Sequence, residues 1–144
     1  MKTRKASAIW NGTLKEGRGT MSLGSGAIQG QYSYMSRFEE GPGTNPEELI
    51  GAALAGCFSM ALSADLGRAG HNPDQIQTQA DVSFGPVDGK ATIQKIHLTT
   101  QAVVPGIDEQ TFQQVAEGAK KGCPVSRALN TEITLDAQLV DSIS

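Results

Sequence analysis

Cysteine is scarce in this chain. Only Cys57 and Cys123 occur, far apart in the sequence, which excludes the dense disulfide framework of a small secreted domain. With His71 and His97 they show no paired spacing of the CxxC or HxxxH kind, so no zinc or other metal site is expected. Positive charge is not in excess: 12 Lys and Arg stand against 15 Asp and Glu, a formal net charge of −3. Phosphate backbones are held by clustered cations, so a nucleic-acid surface is not expected. The basic opening MKTRK is too short to alter that, and no apolar stretch of the secretory-signal kind follows it. The most apolar uncharged run, residues 49–64, covers 16 positions. A membrane-crossing helix needs about 20 mostly apolar ones. Low-complexity segments and internal repeats are also lacking. These absences predict a soluble protein of the reducing cytoplasm with neither membrane nor nucleic acid as partner.

What remains is ordinary globular composition, 38% hydrophobic and 19% charged, over 144 residues. That length predicts one domain, residues 1–144. Residues 5–10 and 17–23 read as strands about an Asn11-Gly12 turn. Residues 27–38 alternate, predicting a third strand. Ile28, Tyr32, Tyr34 and Phe38 fall on one side, with Gln29, Gln31, Ser33, Met35 and Arg37 on the other. A loop, EEGPGT, leads to a helix with Asn45 as N-cap and Pro46 in the first position. Glu48 stands at capping-box spacing. Glu47 and Glu48 suit the positive end of the helix dipole. This helix should run to about Arg68, with Gly70 beyond its end, and lie buried in protein. Strands follow at 77–84 and 90–104 around GPVDG, then a helix from Asp108 to Gly122 with Phe112, Val115, Ala116 and Ala119 on one face. Cys123-Pro124 opens a third, short helix, and 131–140 alternates as a last strand with Ile133, Leu135, Ala137 and Leu139 inward. Hairpins mixed with helices, without regular βαβ units, give α+β.

The two cysteines differ in setting. Cys57 lies mid-helix among small apolar residues, where burial raises a thiol's pKa and leaves it inert unless a cation holds the thiolate. Plain core packing is the competing reading, since free cysteine is among the most often buried residue types. Cys123 falls between a helix-ending Gly122 and Pro124. As N-cap of the next helix it would meet unpaired N–H groups and the helix dipole. Position alone makes Cys123 the more acidic thiol. Whether the two form a reversible pair stays open at this level, because pairing depends on a Cα separation that spacing does not give.

The stretches SRFEEGPGTNPEELIGAALAGCFSMAL and AVVPGIDEQTF, with AKKGCPVSRALNTEITLD, resemble the OsmC/Ohr family of thiol peroxidases. The likeness runs from the Trp10-Asn11-Gly12 near the start to the last strand. Its specific motifs are the TNPEEL helix start, with a cysteine ten residues after the first Glu, and the later GCPVS. The resemblance implies an OsmC-like α+β fold, with antiparallel sheets and a long central buried helix, in an intertwined homodimer. It implies reduction of hydroperoxides, organic ones preferred, with Cys57 as peroxidatic and Cys123 as resolving thiol. They would join in an intramolecular disulfide that a dithiol reductant of the lipoyl type reopens, with no cofactor. Arg37 and Glu47 would complete the site. The Ohr branch takes its arginine from nearer the N-terminus, but SRFEEG resembles the OsmC pattern, so Arg37 is carried over and not Arg18.

Physical chemistry fits these implied roles. Arg37 would lower the pKa of Cys57, and Glu47 would hold the guanidinium in a bidentate pair. An apolar pocket would favour an organic peroxide by about 0.8 kcal/mol per buried CH₂. Phe38, Ile50 and Phe58 are its candidate walls, or ordinary core. Glu47 and Cys57 sit ten residues apart on one helix, a rise of about 15 Å. If the Arg–Glu pair meets the cysteine, it must come from another subunit, with shared active sites at a dimer interface. The small residues Gly51 to Gly56 would let helices approach there. Two other classes compete: a redox-sensing or small-molecule-binding module without turnover, and a structural domain with inert cysteines.

Overall fold

In the computed structural model, which describes residues 1–144, the chain divides into two units, Met1–Leu49 and Ile50–Ser144, each built on a three-stranded sheet. The first unit is an antiparallel meander of β1 (Ala6–Asn11), β2 (Arg18–Leu23) and β3 (Gln29–Tyr32). Gly19 is needed at its centre. A Cβ there would stand 2.5 Å from the Tyr32 ring and 2.7 Å from the Trp10 ring, whose centroids lie 5.4 Å apart.

The third strand does not continue to Phe38 as the alternation predicts. It stops at Tyr32, and residues Tyr34–Phe38 form a short helix, α1. The cause is Ser33. Its hydroxyl accepts from the Ser36 N–H at 3.2 Å, while its own N–H donates to Ser36 Oγ at 2.9 Å. This reciprocal cap offers the backbone a helical turn that competes with the sheet ladder.

The long helix α2 spans Pro46–Arg68. Asn45 Oδ1 accepts from the Glu48 N–H at 2.8 Å, as an N-cap should. The capping box is not completed by Glu48, whose carboxylate instead accepts from the Thr44 hydroxyl at 2.6 Å. Asn45 Nδ2 donates to the Ser36 carbonyl at 3.1 Å, which ties the cap to α1. At the far end Gly70, with φ 90°, closes the helix. Its N–H donates to Gly67 O and the His71 N–H to Leu66 O.

The second unit holds β4 (Gln75–Val87), β5 (Lys90–Val103) and β6 (Glu132–Leu139). Asp88 and Gly89, with φ of 51° and 76°, make the two-residue turn of the β4–β5 hairpin. β6 pairs parallel to β5, so this sheet is mixed where only antiparallel pairing was expected. The reason is the connection: α3 (Glu109–Gly122) and α4 (Pro124–Ala128) lie between β5 and β6, and parallel neighbours require such a crossover. Leu54, Phe58, Leu62 and Leu66 of α2 form a stripe at helical spacing, fully buried with Ile96 and Leu98 of β5 and Phe112, Ala116 and Ala119 of α3. Burying each of these large side chains stabilises the fold by about 1.5–3 kcal/mol. The inward set of β6 is as expected: Ala137 is buried, and Ile133, Leu135 and Leu139 pack partly against the core.

α2 is buried along that one face only. Ala52, Ala53, Gly56, Ser63 and Ala64 are exposed, and Met60 is 78% exposed. In length and composition α2 would suffice to cross a membrane, yet its Leu and Phe stripe lies in the protein core.

Candidate functional site

The two thiols meet at the start of α4. Cys123 has φ −67° and ψ 143°, the extended backbone that a residue before proline favours. It ends α3 by donating its N–H to Ala119 O at 3.1 Å. It then caps α4, with Sγ accepting from the Ser126 N–H at 3.4 Å. The neighbouring amide, Val125 N–H, donates to Sγ of Cys57 at 3.5 Å. One helical turn therefore holds both sulfurs through adjacent amides. Both cysteines are free thiols, Cys57 half-buried and Cys123 fully buried.

Burial works against the acidity that the capping position predicts for Cys123. Loss of water pushes its thiol pKa up, and this outweighs the Ser126 amide that favours the thiolate. The hydrogen bond with Cys57 and the charge Cys57 can carry push it up further. Chain position correctly placed the cap but does not report depth.

The second pair lies in the first unit. α1 carries Arg37 in its last turn and α2 carries Glu47 in its first. Arg37 Nε and Nη2 both stand 2.9 Å from Glu47 Oε1. The pair is thus not the expected fork on two oxygens: two donors converge on one, and Oε2 is buried with no hydrogen-bond partner. The Glu47 side chain is 8% exposed and that of Arg37 38%. The guanidinium carbon lies 5.3 Å from the Phe38 ring centre, a stacking distance. Arg37 and Phe38 line a recess of about 250 Å³ with Trp10, Leu14, Tyr32 and Tyr34. Arg18 forms no ion pair within the chain and lines a different hollow with Asn11, Thr20 and Gln31.

Phe38 lines the recess beside Arg37. Ile50 is half-buried against the core of the second unit. Phe58 is fully buried within that core, where it fills space beside Leu54 and Leu62, and is a packing residue. Sequence reasoning missed Trp10, Leu14, Tyr32 and Tyr34 as neighbours of Arg37. Tyr32, Tyr34 and Phe38 were visible as one side of an alternation, but as a strand face. The Val125 and Ser126 amides were also missed as sulfur partners, although unpaired N–H groups after a helix-opening proline are a readable signal.

Residues 39–138 match the family model described as OsmC-like protein. The chain is 54% identical over 137 residues to the peroxiredoxin OsmC of Escherichia coli strain K12, covering 94% of this chain and 96% of that one. It is 32% identical over 98 residues to an organic hydroperoxide resistance protein of Xanthomonas axonopodis pv. citri, covering 66% and 67%. Among solved structures, an OsmC-like protein of unknown function from Vibrio cholerae superposes with a TM-score of 0.77 at 19% identity. That match covers 95% of this chain and 99% of the other.

Proposed function

This chain belongs to the OsmC family, and from that membership we propose that it is a cysteine-based peroxidase that reduces organic hydroperoxides to alcohols under oxidative and osmotic stress. The observation that carries the reading is the pair of free thiols held by adjacent amides of one turn.

Cys57 is the peroxidatic residue. Its thiolate attacks the terminal oxygen of ROOH, the O–O bond breaks, and RO⁻ leaves to take a proton as ROH, so that Cys57 becomes a sulfenic acid. The Val125 N–H supports the negative sulfur. Cys123 is the resolving residue. Its sulfur attacks the sulfenic sulfur, water departs, and a Cys57–Cys123 disulfide forms. The raised pKa of Cys123 gives this order a physical basis. Burial first, and then the hydrogen bond and charge of Cys57, hold Cys123 toward its protonated form. Once Cys57 is a sulfenic acid its thiolate charge is gone, while the Ser126 and Val125 amides still favour the Cys123 thiolate. A dithiol of the lipoyl type then reduces the disulfide by two thiol–disulfide exchanges.

Arg37 and Glu47 complete the site from the second subunit of a homodimer. Support comes from α2 itself: Glu47 and Cys57 are separated by about 15 Å of helix rise. The exposed small residues Ala52, Ala53 and Gly56 suit close packing against another copy. The Arg37–Glu47 ion pair favours Arg37 over the unpaired Arg18 as the cation. The aromatic recess beside Arg37 would take the organic group of the peroxide. Residues 1–144 act as one functional domain in the cytoplasm.

Mass spectrometry after one equivalent of tert-butyl hydroperoxide tests the reading. A Cys57–Cys123 disulfide is expected, and turnover should follow when a dithiol is added. A lasting sulfinic acid on Cys57 would deny Cys123 its role. Inactivity with every dithiol would leave a sensing or binding module.

A further inference from the structure

A row of hydroxyls crosses the otherwise apolar contact between α2 and the β4–β5 sheet. The register pairs Thr78 with Thr100, and the pairs on either side of it, Ile76 with Ala102 and Ala80 with Leu98, are apolar. Ser59 Oγ lies 2.8 Å from Ala55 O and 2.8 Å from Thr78 Oγ1. Thr78 Oγ1 lies 2.9 Å from Thr100 Oγ1, which donates to Gln77 O at 3.1 Å. Thr100 is fully buried.

Stability alone does not require this row. Replacing both partners of a buried hydrogen bond by apolar groups of the same shape is close to neutral, whereas removing one partner is costly. The row instead makes the placement of α2 specific. Hydrogen bonds weaken steeply outside a narrow range of distance and angle, and a slide of one residue moves a helix by about 1.5 Å. Ser59 therefore fixes both the slide and the roll of α2 on the sheet. Cys57 is two residues away, about 3 Å along the axis and about 200° around it. The same constraint thus sets where its sulfur stands on the opposite side, where it meets the Val125 amide at 3.5 Å.

We propose that Ser59, Thr78 and Thr100 are positioning residues that hold Cys57 in register with Cys123, so that the sulfenic acid condenses before a second hydroperoxide reaches it. The inference rests on the peroxidase reading. Two reactions compete for the sulfenic acid. In one, Cys57–SOH and HS–Cys123 give the disulfide and water. In the other, Cys57–SOH and ROOH give Cys57–SO₂H and ROH. Misplacing α2 slows the first more, because it needs a second sulfur at a fixed place, whereas the hydroperoxide diffuses to Cys57.

The test uses the full chain as Thr100→Val, Ser59→Ala and Thr100→Ser, each checked for folding by circular dichroism. Intact mass after graded tert-butyl hydroperoxide gives the ratio of sulfinic acid to disulfide. Thr100→Val and Ser59→Ala should raise that ratio roughly three- to tenfold, the factor matching one net hydrogen bond. Thr100→Ser, which keeps the hydroxyl, should stay near the parent protein. An unchanged ratio in folded Thr100→Val and Ser59→Ala, or an equal rise in Thr100→Ser, overturns the inference. Diamide closes a dithiol without peroxide chemistry, so its rate of disulfide formation reads positioning separately. Slower closure in Thr100→Val supports the inference even if the parent protein turns over no peroxide, an outcome that would overturn the functional reading alone. Unaltered closure counts against positioning.

Discussion

Mixing two inactive chains should restore activity, and the size of the recovery is fixed by the geometry of α2. Glu47 sits in the first turn and Cys57 ten residues on, about 15 Å along the axis. Glu47 holds Arg37 at 2.9 Å, so the guanidinium is anchored at the Glu47 end. On the proposed shared site, each half of a twofold dimer draws Cys57 from one chain and Arg37 with Glu47 from the other. A Cys57→Ser homodimer has no nucleophile, and a Glu47→Ala homodimer has an unanchored cation. A heterodimer of the two has one site with every group and one site lacking both. If chains exchange at random from equal amounts, half of the dimers are mixed, and activity should recover to about a quarter of the parent value. Purified heterodimers carrying two different tags should reach about half. The assay is tert-butyl hydroperoxide consumption with a dithiol reductant, and size-exclusion chromatography establishes the dimer first. Activity that stays at the sum of the two mutant homodimers refutes the shared site. So does a parent protein that is active as a monomer.

Three further outcomes are expected. Cys123 is an acid whose pKa is raised on folding by burial, so the folded state keeps its proton to higher pH than the unfolded state. The contribution of Cys123 to stability should therefore be constant below the unfolded thiol pKa of about 8.5 and fall as pH rises above it, a slope in reducing guanidinium titrations that Cys123→Ala should remove. Asn45→Ala loses the bond from the Glu48 N–H and the bond to Ser36 O, and should cost about 1–2 kcal/mol in the denaturant midpoint. A change below a few tenths would deny that the cap organises this end of α2. Iodoacetamide should label Cys57 quickly near neutral pH and slowly in Arg37→Ala; equal rates in the two proteins would remove Arg37 as the cation that activates the thiol.

Most elements were legible because their signals are local. Asn45 with Pro46, Gly70, the turn at Asp88-Gly89 and Cys123 before Pro124 all punctuate the chain where the sequence says they should. The misplaced element was α1. Tyr32, Tyr34 and Phe38 alternate well enough for a strand, and only the reciprocal Ser33–Ser36 cap decides for a helix. A Ser-x-x-Ser cap is weaker as a signal than Ser-x-x-Glu, so period two prevailed in the reading. Parallel pairing of β6 was illegible for another reason. Strand direction depends on how α3 and α4 return the chain, which no residue of β6 encodes.

The error over α1 bears on the site. Had residues 33–38 stayed extended, Arg37 would have risen on a strand with its neighbours pointing alternately to two faces. As a helical turn, α1 sets Arg37 against Glu47, and the Asn45 side chain ties the same turn to the start of α2 through Ser36 O. Ser33 and Asn45, through their caps, thus help set which carboxylate Arg37 meets. The thiol end obeys a similar rule. Cys123 is drawn toward the thiolate by its cap and away from it by burial, and burial prevails. Cys57 takes an amide from the same helix without being fully buried. In the proposed reaction the less buried sulfur is the one that meets the peroxide. The buried one is held toward its protonated form and, on that proposal, reacts second.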